Sequence, residues 1–166
     1  MKAKKRRLHG GMRLGRNVQY FIKRADGRFE GPFFARNLTT NVGVNMARRQ
    51  LHDPSYAAAT TVAQYVAVST DSTAPASTDT SLASEQTTNG LARAAATYSS
   101  LSGTGAWQLQ ITMTYTGSSA ITITKSAIFD AASAGNMYYE VLLSPSATLN
   151  DGDAIILTWS GSEQAA

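Results

Sequence analysis

Cysteine, histidine and charge are all scarce in this sequence. With no cysteine among 166 residues, disulfide frameworks, thiol nucleophiles and Cys-ligated zinc are excluded. Charged residues make up only 16% of the chain, so exposed sheet faces must be hydroxylic or amidic, a composition that also buries readily against neighbours. No run approaches the ~18 consecutive apolar residues of a membrane helix. Met1 to Gly11 opens with positive charge but lacks the apolar segment of a signal peptide, which predicts a protein kept in the cytosol unless a particle carries it out.

Catalytic constellations are missing as well. His9 lies in the basic start and His52 beside Asp53, with no activated serine motif to complete a triad. There is no phosphate-binding loop, dinucleotide fingerprint or metalloprotease helix. Asp151-Gly152-Asp153 supplies too few oxygens for a calcium site and reads as a hairpin turn. Glu85, Asp130 and Glu140 look scattered and unpaired. The expectation is a non-enzymatic protein with no cofactor and no metal.

What is present is strongly divided. Residues 1–53 hold 13 of the 15 lysines and arginines and 3 of the 11 acidic residues, a net +10, which leaves −6 for residues 54–166. Such a division points to a basic arm working against an anionic partner. The arm, residues 1–16, carries Lys2, Lys4, Lys5, Arg6, Arg7, Arg13 and Arg16 and no apolar periodicity. It is expected to order only on docking. Phosphates and an acidic protein groove would serve it equally, but it lacks the aromatic and hydrogen-bonding side chains that read bases.

Residues 17–36 predict a hairpin extension: Val18, Tyr20 and Ile22 alternate with polar positions, Ala25-Asp26-Gly27 turns, and Phe29, Phe33 and Phe34 follow. Pro32 marks the second strand as short or at an edge. The aromatics read as packing residues, with Tyr20, Phe29, Phe33 and Phe34 as anchors. A helix is expected over about 40–52, capped by Thr39, Thr40 or Asn41, with Leu38, Val42, Met46 and Leu51 as its apolar stripe and Asp53-Pro54 as its stop. Gly43 inside it signals close approach to another backbone.

The rest, 37–166, reads as a β-sandwich or jelly-roll. A short strand covers Ala63–Ser69, and residues 70–90 form a Ser/Thr/Pro loop with one helical turn at Leu82–Glu85. Between Ala106 and Thr116, Trp107, Leu109, Ile111, Met113 and Tyr115 alternate with Gln108, Gln110, Thr112, Thr114 and Thr116, a half-buried antiparallel strand. Gln108, Gln110, Thr112 and Thr114 are the candidate subunit contact. Over Ile121–Phe129, Ile121, Ile123, Ala127 and Phe129 are expected on one face. Strands at Met137–Leu143 and Ala154–Ser160 follow, the latter after the Asn150–Asp153 turn.

Four segments in order resemble tailed-bacteriophage virion proteins. Asn37–Gly43 is similar to an "N-L-x-T-N-x-G" helix opening. Tyr65–Glu85 resembles "Y-V-A-L-G-T-G-x-T-A-P-x-x-x-D-T-x-L-x-x-E", with Arg93 where a following arginine is common. Ile121–Ala132 resembles "V-T-I-x-E-A-G-L-F-D-A-A", departing at Lys125, Ser126 and Ala127, and Leu149–Trp159 resembles "L-x-x-G-D-x-L-x-V-T-W". The resemblance implies virion structure. On the head, the chain would be a decoration (cement) protein, a homotrimer on the major capsid protein. Lys4, Lys5, Arg6, Arg7, Arg13 and Arg16 would then pair with acidic shell grooves. On the tail it would be a fibre, baseplate or adaptor component. A packaged DNA-binding protein is a further alternative, and a carbohydrate-binding sandwich would need Trp107 or Trp159 exposed.

Overall fold

A computed structural model describes residues 13–52, 62–101 and 106–164. The strands are β1 (Arg13–Lys23), β2 (Phe29–Arg36), β3 (Leu38–Thr39), β4 (Tyr65–Ser69), β5 (Ala94–Ala95), β6 (Thr97–Ser100), β7 (Ala106–Thr114), β8 (Ile121–Phe129), β9 (Met137–Leu149) and β10 (Ala154–Gln164). The helix α1 spans Asn41–His52. Two five-stranded antiparallel sheets, ordered β2-β1-β10-β7-β6 and β3-β9-β8-β4-β5, face each other as a sandwich.

Alternation explains the first sheet. Leu109, Ile111 and Met113 are buried while Gln110, Thr112 and Thr114 are exposed. Val18, Tyr20 and Ile22 of β1 and Ile155, Leu157 and Trp159 of β10 supply the neighbouring inward rows. From the other sheet, Val66, Val68, Ile123, Ile128, Val141 and Leu143 close the same core.

The N-terminal boundary differs from the sequence reading. Arg13–Arg16 are strand, paired with Gly161–Gln164, and β1 runs against β10 along its whole length to Lys23↔Ala154. The 17–36 hairpin therefore supplies two of the five strands of the first sheet rather than extending from it. Local composition could not show this, because the hydrogen-bonding partner lies at the opposite end of the chain. Residues 1–12, with Lys2, Lys4, Lys5, Arg6 and Arg7, lie outside the described residues.

Two further expectations are corrected. Ile121 and Ile123 join the main core, whereas Ala127 and Phe129 belong to a second cluster with Ala67, Leu82 and Met137 on the other face of the sheet. The register against β9 jumps from Ile123↔Ala147 to Lys125↔Leu142, so the strand changes phase at this irregularity. The 82–85 segment is not a helical turn: Glu85 bridges to Ser69, and Gln86 N donates to Val68 O at 2.9 Å. Backbone pairing with the end of β4 replaces the hydrogen bonds a helix would have made.

The helix starts as expected. Thr40 Oγ1 accepts from Gly43 N at 3.0 Å and donates to Met137 O at 2.5 Å, so one hydroxyl caps α1 and ties it to β9. Leu38 is not on the helical stripe but in β3, opposite Glu140. Gly43 lies flat on β9: a Cβ there would overlap the Tyr138 carbonyl oxygen and come within 2.9 Å of Tyr138 Cα. In an unobstructed helix Gly→Ala adds up to about 1 kcal/mol of stability. Here Gly43→Ala is expected to lose about 1–3 kcal/mol through overpacking, a reversal of sign that urea unfolding would detect.

Candidate interaction surfaces and buried charge clusters

Three cationic side chains organise the polar interior, and each is held by acids that look isolated in the sequence. Lys125, 2% exposed, extends from the outer face of β8 beneath the 70–86 loop. Its ammonium donates to Glu140 Oε1 at 2.9 Å and Thr73 Oγ1 at 3.2 Å, and pairs with Asp71 Oδ2 at 2.7 Å. Burial works against this ammonium, but the hydrogen bonds to Asp71 and Glu140 outweigh it and push its pKa up. Hydrogen bonds from Lys125, then Thr73, draw Asp71 down to about 2. Desolvation dominates at Glu140 and raises its pKa, with Asp79 adding to the rise and Lys125 opposing it. A polar cavity of about 290 Å³ lies beside these groups, lined also by Thr78 and Thr80.

Arg93 makes the second cluster. Its guanidinium donates to both oxygens of Glu85 at 2.9 and 2.6 Å, and to the carbonyls of Ala131 at 3.2 Å and Ala134 at 2.6 Å. It also sits 3.4 Å from the ring centroid of Phe129. Asp130, next along, accepts from Asn136 N at 2.7 Å and Asn136 Nδ2 at 2.8 Å. The end of the Tyr65–Glu85 segment, Arg93 and the Phe129–Ala132 segment thus meet at one point. Residues from two of the segments that carried the family resemblance are joined, through Arg93, by one structural clasp.

The third cluster joins two turns. Arg24 donates to both oxygens of Glu30 at 2.7 Å, to Asp153 Oδ2 at 2.8 Å and to Thr148 O at 2.8 Å. Asp153 also accepts from Ala25 N and Asn150 N, each at 2.9 Å. Its oxygens are engaged in holding the β1–β2 turn to the β9–β10 turn. Among the described residues no group of three acidic or histidine side chains is arranged to hold a metal.

The remaining feature is the outer face of the first sheet. Cross-strand registers line up Phe34, Gln19, Thr158, Gln110 and Thr97 in one row, with Phe21, Ile156 and Thr112 in the next. The four candidate contact residues lie on this face: Gln110, Thr112 and Thr114 are exposed, Gln108 half-buried. Phe34 is 64% exposed on the same face and Phe29 is 60% exposed at its corner, opposite Lys23. The anchor set therefore divides. Phe33 packs on Tyr20 with ring centroids 5.2 Å apart. Tyr20 is wholly buried, its hydroxyl donating to Pro145 O and its pKa pushed up to about 12 by burial, so it cannot touch a partner. Arg13 and Arg16 stand on β1, opposite Gln164 and Gly161. Trp159 is 1% exposed, which removes it as a sugar platform, and the half-buried Trp107 ring covers Gly161.

The model of the family described as Podophage GP4 fiber I protein gp80 matches residues 37–162. The chain belongs to this family. It is a tailed-phage virion structural protein, in agreement with the resemblance carried by its segments. No curated protein matches it. The match spans the helix, the 70–90 loop, the Lys125 and Arg93 clusters, and the strands from β3 to most of β10.

Two expectations follow. Arg93→Lys keeps the charge but cannot reach two carboxylate oxygens and two carbonyls together, and should cost about 1–3 kcal/mol in denaturant unfolding. Asp153, where burial opposes ionisation but hydrogen bonds from Asn150, Arg24 and Ala25 prevail, is lowered to about 2. Since its folded value lies below the ordinary ~3.9, its contribution is complete above about pH 4 and is lost as pH falls towards 2. Stability measured across that window should fall less steeply in Asp153→Asn than in the unsubstituted protein.

Proposed function

We propose that the protein is a non-enzymatic subunit of the tail fibre apparatus, a rigid sandwich that docks on neighbouring virion proteins. The observation that carries this reading is the family match to a fibre protein over residues 37–162, which takes in the whole second sheet and three of the five strands of the first. The open face of the first sheet supports it. Its rows of Gln, Thr and Ser around Phe21, Ile156 and Phe34 contain no acidic residue among the described side chains, so a partner can cover it without stranding buried carboxylates. Gln108, Gln110, Thr112 and Thr114 form the contact, with Phe34 and Phe29 as apolar anchors. The basic residues Lys4, Lys5, Arg6 and Arg7 act as a tether to an acidic groove on the adjoining protein.

A second reading places the same surfaces on the head, as a decoration protein on the major capsid protein. The +10 charge of residues 1–53 favours an extended acidic surface such as a shell would offer. Co-sedimentation with isolated tails and, separately, with DNA-free heads decides between them. Removing residues 1–12 spares β1 and isolates the contribution of the tether. Saturable binding to tails, weakened by the truncation, is the expected result. Binding to heads alone would move the protein to the shell. Binding to neither, together with DNA affinity that falls steeply with salt, would support the packaged DNA-binding role.

A further inference from the structure

The two ends of the first sheet are protected very differently. At one end β2 carries Pro32, and Arg28, Glu30 and Arg36 lie on or beside it, all features that obstruct a further strand. At the other end β6 reads Thr97-Tyr98-Ser99-Ser100, with no charge and no proline, and all four residues are exposed. Tyr98 is 62% exposed and Leu101, just beyond, 38%. The edges of the second sheet, β3 and β5, are only two residues long. Among the described residues β6 is thus the one edge of useful length without a blocking device, and no described strand lies against its outer side.

Its free hydrogen-bonding groups follow from the register. Leu101 N donates to Ala106 O at 3.0 Å, and β6 pairs with β7 as Ser99↔Gln108 and Thr97↔Gln110. Antiparallel strands alternate inward and outward bonding residues. Residues 97, 99 and 101 therefore bond to β7, while the N–H and C=O groups of Tyr98 and Ser100 point away from the sheet.

We propose that β6 is a self-association edge, on which β6 of a second copy pairs antiparallel to give one continuous ten-stranded sheet. The choice of a second copy rests on charge and symmetry. An uncharged edge can meet its own image without opposing like charges. A pairing centred on Ser99 sets Tyr98 against Ser100 of the other copy and the reverse, so every outward group of both strands is used. Shifting the centre by one residue to either side leaves one outward residue of each β6 without a partner inside the other β6. Each edge accepts one strand, so the assembly is two-fold rather than the trimer expected of a head-decoration protein. The inference does not depend on whether the protein belongs to tail or head, and it does not use the basic residues.

The Cys-free sequence makes the test direct. At the centre of the pairing the two Ser99 residues form a non-hydrogen-bonded pair with Cα atoms about 4.5 Å apart, within disulfide range. Full-length Ser99→Cys is expected to cross-link into a disulfide dimer under mild oxidation. Thr112→Cys, on the outer face of β7, one strand in from the edge, should cross-link at least about tenfold more slowly. By sedimentation equilibrium, the unsubstituted chain should show a concentration-dependent dimer that is insensitive to salt and survives removal of residues 1–12. Tyr98→Lys should weaken that dimer about tenfold or more, with an unchanged melting temperature at concentrations where both chains are monomeric. A chain that stays monomeric at every concentration, or equal cross-linking of the two cysteine variants, would overturn the proposal. A dimer lost on raising salt or on removing residues 1–12 would also overturn it, by assigning association to the basic segment.

Discussion

Lys125 and Glu140 lie side by side on the outer face of the second sheet, on strands where water is excluded on both sides. Two ions so placed cost several kcal/mol in lost hydration unless further polar groups close around them. The 70–86 loop supplies those groups: Asp71 and Thr73 reach the ammonium, and Thr124 Oγ1 donates to Asp71 O at 2.7 Å. Closing the loop has consequences beyond the ion pair. It brings Leu82 onto Ala67, Ala127 and Phe129, sets Glu85 against Arg93, and carries Ser77 O to Asn41 N at 2.7 Å at the start of α1. A long Ser/Thr-rich segment becomes a fixed layer because the charges beneath it require a cover.

The two sheets consequently serve different ends. The second is covered on both faces, by the main core, which Met46 of α1 joins, on one side and by the 70–86 loop on the other, and its acidic side chains are spent on internal partners. The first has only one face in the core. Its other face offers amides, hydroxyls and a few apolar side chains, with Lys23 and Arg36 as exposed cations towards the β2 side, and its β6 edge ends without charge. In a subunit of a particle this division is useful: stability is concentrated where the chain folds on itself, and the surfaces left over can be covered by other proteins at little desolvation cost.

Much of the architecture was legible because it depends on short-range patterns. The period-two run from Trp107 to Tyr115 gave its own burial, the Thr40 cap follows from hydroxyl chemistry, and Gly43 against Tyr138 follows from the cost of glycine in a helix. Readings failed where two distant segments had to agree. The phase of β8 changes at Lys125 because β9 carries extra residues opposite it. The 82–85 turn gave way to pairing with β4. Glu85, Asp130 and Glu140 looked solitary because their partners stand 8, 6 and 15 residues away, spacings that no single helix face or hairpin period relates.

The amino-acid order alone determined a Cys-free, mainly β chain with a basic start and an acidic remainder, since composition, alternation and turn chemistry act within a few residues; its virion type rested on the resemblance carried by four segments. Only the tertiary structure decided that the first hairpin belongs to the sheet and that Tyr20 is core while Phe34 is surface. It alone showed that Glu85, Arg93 and Phe129 meet in a clasp, and that among the described residues one sheet edge is left open. Each of these depends on which backbone groups and charges meet across the sandwich, and burial makes such meetings decisive because an unpaired polar group there has no water to turn to.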